Sequence, residues 1–69
     1  MDARILHIDH ASPEPIYRQI AEQLRRLVAA GQLRPGHGLP SVREVAATHA
    51  INPMTVSRAY SQLESEGVL

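Results

Sequence analysis

Sixty-nine residues suffice for one domain and no more, and a domain this small buries only a modest share of its unfolded surface. Hydrophobic residues make up 43% of the chain while Phe, Trp and Cys are absent, so disulfides are excluded and the core must be aliphatic, built around Tyr17 and Tyr60. Seven Arg against seven acidic residues leave a formal net charge of zero, which rules out a broad basic surface, and no apolar run approaches the roughly 20 residues of a membrane span.

Neither a basic start nor an apolar leader core precedes the first polar residues, and the expectation is a soluble, cytoplasmic protein. Charge is nonetheless uneven. Arg4 is outweighed by Asp2, Asp9 and Glu14 in residues 1–14. Arg18, Arg25, Arg26 and Arg34 outweigh Glu22 in residues 15–40, and Glu64 and Glu66 tip residues 41–69 back to the acidic side. Any cationic face is therefore local.

In chain order, residues 1–14 read as an N-terminal strand and linker. Arg4-Ile5-Leu6-His7-Ile8-Asp9 alternates partly between apolar and polar, as an edge strand does, and the Ala-Ser-Pro-Glu-Pro that follows ends it. Such a strand needs a pairing partner elsewhere. From Pro15 the period changes: Ile16, Ile20, Leu24, Leu27 and Val28 form one stripe of a first helix over 15–31, closed by Gly31. Arg18, Arg25 and Arg26 lie off that stripe, on a face that is either solvated or turned to phosphate.

A turn containing Pro35, Gly36 and Gly38 leads to a second helix over 41–49. Ser41 and Glu44 stand at the spacing of a capping box, in which hydroxyl and carboxylate each bond the other residue's amide. Val42, Val45 and Ala46 are its inward residues. Ala50-Ile51 breaks the pattern, and Asn52 as N-cap with Pro53 at the first helical position opens a third helix over 52–66. Its stripe is Val56, Ala59, Tyr60 and Leu63, with Gly67 placed to end it.

About four residues between the second and third helices force a steep crossing, as in a helix-turn-helix pair. At about 100° per residue, the face opposite the third helix's stripe holds Met54, Arg58, Ser61 and Ser65, flanked by Thr55 and Ser57. Small hydroxyls, one arginine and one apolar tip suit a major groove, where Ser and Thr bond phosphates or base edges, Arg forks onto guanine and Met touches a thymine methyl. Arg43, on the flank of the second helix, either joins that surface or pairs with a nearby acid.

Other chemistries find little footing. His7, His10, His37 and His49 lack the spacing of a metal site, Gly36 and Gly38 precede no phosphate-binding Lys-Ser/Thr, and no hydroxyl has a His-acid relay. No metal, cofactor or catalytic centre is expected.

The runs Pro15-Ile16-Tyr17-Arg18-Gln19-Ile20, Gly31-Gln32-Leu33-Arg34-Pro35-Gly36, Leu39-Pro40-Ser41-Val42-Arg43-Glu44-Val45-Ala46, Asn52-Pro53-Met54-Thr55-Val56-Ser57-Arg58-Ala59-Tyr60 and Leu63-Glu64-Ser65-Glu66-Gly67 stand in order. Together they resemble the head of a GntR-family regulator, with a lead-in similar to that family's YtrA branch. The resemblance implies a mainly α, three-helix helix-turn-helix of winged-helix type, with a short N-terminal strand and the wing hairpin missing. It also implies a homodimer that binds an inverted-repeat operator in double-stranded DNA, usually as a repressor, under an effector taken by a C-terminal domain.

By position, the resemblance implies that Arg43 reads a base and that Asn52, Met54, Thr55 and Ser57 begin the recognition helix. Arg58 serves the phosphate side, and Ser41 offers its amide to phosphate. Tyr17 either touches phosphate or covers the first helix's stripe.

Three departures stand out. Pro53 replaces an arginine common in relatives, and Ala50 occupies a turn position often held by glycine, at a cost of roughly 1 kcal/mol if its backbone is left-handed. The chain also stops at Leu69, where wing strands would follow. The expectation is an operator-binding head of a longer repressor. The rival is an interaction module that pairs with full-length regulators without binding DNA itself.

Overall fold

The computed structural model describes residues 3–33 and 38–69. A short 3-10 turn, Ala3–Ile5, precedes three α-helices: α1 (Ile16–Ala29), α2 (Val42–His49) and α3 (Pro53–Ser65). The middle of the expected turn, with Pro35 and Gly36, lies outside the described residues.

The core is built on the apolar stripes of the three helices. Ile20, Ala21 and Leu24 of α1, Val45 and Ala46 of α2, and Val56, Ala59 and Leu63 of α3 are buried with Ala3, Leu6 and Leu33. No polar side chain is buried among the described residues, so no desolvation penalty has to be offset inside. Alanines at 46 and 59 keep the helices close, and α1 and α3 share the larger contact. Ile51 and Leu39 seal the edge of the cluster.

Each helix ends on a left-handed residue. After α1, Gly31 has φ 75° and Gln32 N–H donates to Leu27 carbonyl oxygen at 3.0 Å; after α3, Gly67 has φ 77° and Val68 N–H donates to Leu63 oxygen at 2.9 Å. Both are Schellman closures. The turn after α2 makes the same bond, Ile51 N–H to Ala46 oxygen at 2.9 Å, but its left-handed residue is Ala50, at φ 53° and ψ 51°. A Cβ in that region crowds its own backbone, so the turn joining α2 to α3 carries strain that the other two avoid.

The capping box at Ser41 forms by half. Its hydroxyl accepts from Glu44 N–H at 3.0 Å, while no bond from the Ser41 amide to the Glu44 carboxylate occurs among the described residues. Asn52 caps α3 through its side-chain oxygen, which accepts from Met54 N–H at 2.9 Å, with Pro53 at the first helical position.

The expected strand over residues 5 to 8 is not formed. Ala3–Ile5 is a 3-10 turn, no strand occurs among the described residues, and the extended stretch beyond finds its partners on a helix. Gln23 accepts from His7 N–H at 2.8 Å and donates to His7 oxygen at 2.6 Å; Gln19 accepts from Asp9 N–H at 2.9 Å and donates to Asp9 oxygen at 3.0 Å and to Glu14 oxygen at 2.9 Å.

Each carboxamide thus substitutes for one residue of a neighbouring strand. The fit follows from geometry: four residues of α1 advance about 6 Å and two residues of extended chain about 6.6 Å, so an i, i+4 glutamine pair meets an i, i+2 backbone pair running the other way. His49 of α2 pins the segment's other end, its Nε2 donating to Ala3 oxygen at 2.7 Å, and His10 Nε2 donates to His49 oxygen at 2.9 Å.

Replacing Gln19 and Gln23 together by Ala should lower stability by about 1 to 3 kcal/mol in urea titration and speed hydrogen exchange at the His7 and Asp9 amides. Ala50→Gly should do the opposite, raising stability by about 0.5 to 1 kcal/mol as relief of the left-handed strain exceeds the added entropy of the unfolded chain. An unchanged unfolding midpoint would contradict the strain assigned to this turn.

Candidate nucleic-acid interface

Two helix N-termini and the outward side of α3 make up the candidate surface. Because Val56, Ala59 and Leu63 turn inward, Met54, Ser57, Arg58 and Ser61 are exposed. Met54 stands out with 78% of its surface accessible, at the second position of α3. Asn52 and Pro53 are exposed beside it, while Thr55 is partly covered at the flank. Ser65, further along, spends its hydroxyl on the Gln62 carbonyl oxygen at 2.9 Å.

On α2, Ser41 and Arg43 are exposed in the first turn. The alternative of an acidic partner for Arg43 is not realised: no carboxylate lies within salt-bridge distance of it among the described residues. The arginines of α1 divide differently. Arg25 bonds Glu22 at 3.1 Å and Glu66 at 2.7 Å, tying α1 to the far end of α3, and Arg18 approaches Glu14 at 4.0 Å. The bond from Arg25, aided by Gln62, holds the Glu66 carboxyl below its ordinary value and raises the Arg25 guanidinium in turn. Arg25 is thus a structural tie.

Arg58 has a neighbour that its place in the sequence does not reveal. Its Cζ lies 3.8 Å from the centroid of the Tyr17 ring, on α1. Tyr17 is half-buried against the core, where its ring covers the apolar stripe, and it also meets Arg58 of the outward face.

Tyr60 does a different job. It is half-buried, and its hydroxyl donates to Pro40 oxygen at 2.6 Å, fastening the segment that leads into Ser41. Burial, with the nearby Glu44 charge, pushes its phenol up to about 12. Sequence reasoning placed Tyr60 on the inward stripe but missed this clamp, which sets how α2 begins relative to α3. Gln19 and Gln23 were missed as well. Their i, i+4 spacing off the stripe was the available signal.

Among the described residues no group of three His, Cys, Asp or Glu is placed to hold a metal ion, and no helix is long and apolar enough to cross a membrane.

A capped α2, a tight turn and a capped α3 whose outward face is free, braced by α1, define a helix-turn-helix domain. Residues 16–69 match the family model described as bacterial regulatory proteins, gntR family. The chain is 48% identical over 65 residues to the HTH-type transcriptional repressor YtrA of Bacillus subtilis (strain 168), covering 94% of this chain and 50% of that protein. Against the HTH-type transcriptional repressor NagR of the same organism it is 47% identical over 64 residues, which is 93% of this chain and 26% of NagR.

A solved structure of YtrA from Sulfolobus acidocaldarius, a GntR-family transcription factor, superposes with a TM-score of 0.81 at 48% identity, over 90% of this chain and 53% of that one. The chain therefore belongs to the gntR family of bacterial regulators, as a DNA-binding helix-turn-helix domain. It spans half the length of the Bacillus YtrA repressor.

Tyr60→Phe should cost about 0.5 to 1.5 kcal/mol through loss of the Pro40 bond. The raised phenol also sets a pH dependence. An unfolded tyrosine ionises near pH 10 and the folded one near 12, so the folded state keeps a proton that the unfolded state has lost, and stability falls as pH rises through that window. Ultraviolet difference titration should show a phenolate step near pH 12, absent in the Phe variant.

Proposed function

We propose that this chain is the operator-reading head of a bacterial transcriptional repressor that works as a homodimer on an inverted-repeat site in double-stranded DNA. The observation that carries the reading is the outward face of α3, where Met54, Ser57 and Arg58 are exposed, together with an Arg43 that no described acid neutralises. With an overall charge of zero, a surface like this gains little from bulk attraction, so its affinity rests on a few placed contacts.

In this reading α3 lies in the major groove. Arg43 forks onto a guanine from the start of α2, and Met54 sets its apolar tip against a thymine methyl. Thr55 and Ser57 bond base edges or phosphates along the groove wall, and Asn52 does so at the helix start while keeping its capping bond. Arg58 serves the phosphate side, with the Tyr17 ring beside it. The Ser41 amide, at a helix N-terminus, suits a phosphate oxygen. With proline at position 53, where an arginine would add a charged contact, sequence reading leans on Arg43 and Met54.

The intact protein, in this reading, is cytoplasmic, pairs its heads through a C-terminal domain and takes an effector there. Linking two half-site contacts turns the second into an intramolecular event, and a lone head binds correspondingly weakly. No catalytic role is assigned.

The test is a fluorescence-anisotropy titration of the chain against an inverted-repeat duplex from DNA upstream of its own gene, at low and moderate salt, beside a scrambled duplex. Affinity should fall with salt and favour the inverted repeat, and Arg43→Ala should cost about 1 to 3 kcal/mol on the repeat but little on the scrambled duplex. Equal binding to both duplexes, unaffected by Arg43→Ala, would overturn it.

A further inference from the structure

We propose that Tyr17 is a positioning residue for Arg58, its ring acting as a platform that holds the guanidinium ready for a phosphate oxygen before DNA arrives. The proposal rests on the reading of Arg58 as a phosphate contact and goes beyond it by naming what fixes the side chain. Three observations meet at this point.

First, Arg58 Cζ sits 3.8 Å from the centre of the Tyr17 ring, close enough for the guanidinium to lie on the ring's face. A guanidinium stacked this way is held through its π face, so its N–H donors, which lie in its own plane, stay available to acceptors. Second, no carboxylate pairs with Arg58 among the described residues, whereas Arg25 spends its donors on Glu22 and Glu66. The stacking restrains Arg58 without consuming the edge that recognises an anion. Third, the platform is itself fixed: Tyr17 is half-buried at the start of α1 and packed against the core, while Arg58 is exposed on α3.

The physical gain is entropic. A long arginine side chain loses rotamer freedom when it grips a phosphate, and a ring that has already restrained it lowers that loss. The Tyr17 hydroxyl is not needed for the effect, and this separates a platform from a tyrosine that itself bonds phosphate.

The experiment uses the same chain and duplexes with Tyr17→Phe, Tyr17→Leu, Arg58→Ala and the Tyr17→Leu/Arg58→Ala pair. Tyr17→Phe, which keeps the ring, should weaken binding less than Tyr17→Leu does. Tyr17→Leu should weaken binding by about twofold to fivefold, and the double variant should be no weaker than Arg58→Ala alone. Without DNA, the Arg58 side-chain proton resonances should be shifted upfield by the ring in the parent and in Tyr17→Phe, and return to ordinary positions in Tyr17→Leu.

A loss in Tyr17→Phe equal to that in Tyr17→Leu would assign the contact to the hydroxyl and overturn the platform, as would full additivity in the double variant. Absence of the upfield shift in the parent would overturn it without recourse to any variant. Parent binding with an unaffected Arg58→Ala would remove the phosphate role of Arg58 and the platform with it. A parent that does not distinguish the two duplexes would instead count against the operator reading, and the proton shifts would still report whether the stack exists.

Discussion

The burial of Val56, Ala59 and Leu63 against α1 and α2 is the constraint on which the rest of this molecule depends. All three are completely covered, and a helix has no freedom to rotate once its stripe is locked into a close-packed core. What α3 shows to solvent follows from that. Met54, Ser57, Arg58 and Ser61 face outward because their neighbours at helical spacing face in, and among the described residues no polar side chain is buried to compete with that orientation. Two alanines, at 46 and 59, let the helices approach closely enough for this to hold in so small a core.

The remaining structure sets where the two helix N-termini stand. Tyr60 reaches back from α3 to Pro40 and so fastens the start of α2 to the helix beside it. The turn between them closes on Ala50 in a left-handed conformation, an arrangement kept although the residue type disfavours it. Strain of this kind persists where surrounding contacts over-determine the backbone. Here these are the bond from Ile51 to Ala46 and the burial of the residues on either side of the turn.

Stabilisation at the N-terminal side comes from side chains doing the work of a sheet. An extended segment exposes backbone donors and acceptors that must be satisfied, and Gln19 and Gln23 satisfy them in an antiparallel register with α1. The segment also carries Ala3 and Leu6 into the core, so the glutamines hold in place a lid over α1 and α2. Among the described residues no neighbouring strand takes part in holding it.

The three helices, their caps and the residues that turn inward were legible in the chain because they are local properties: a stripe at helical period, Ser41 and Asn52 before it, Gly31 and Gly67 after it. So was the family, through motifs in order at set spacing. Most of the outward face of α3 was legible for the same reason, since the inward stripe implies its opposite. How the Ile5 to Ile8 segment is paired depends on packing, for alternation records that a strand-like stretch wants partners and not whether a strand or a row of carboxamides supplies them. Packing likewise decided that Tyr17 lies beneath Arg58, that Tyr60 holds Pro40 and that Arg43 is left without an acidic partner among the described residues. The pairing of that segment, the Tyr17–Arg58 stack and the Tyr60–Pro40 bond each join residues distant in the chain, and such contacts exist only once the helices have packed together.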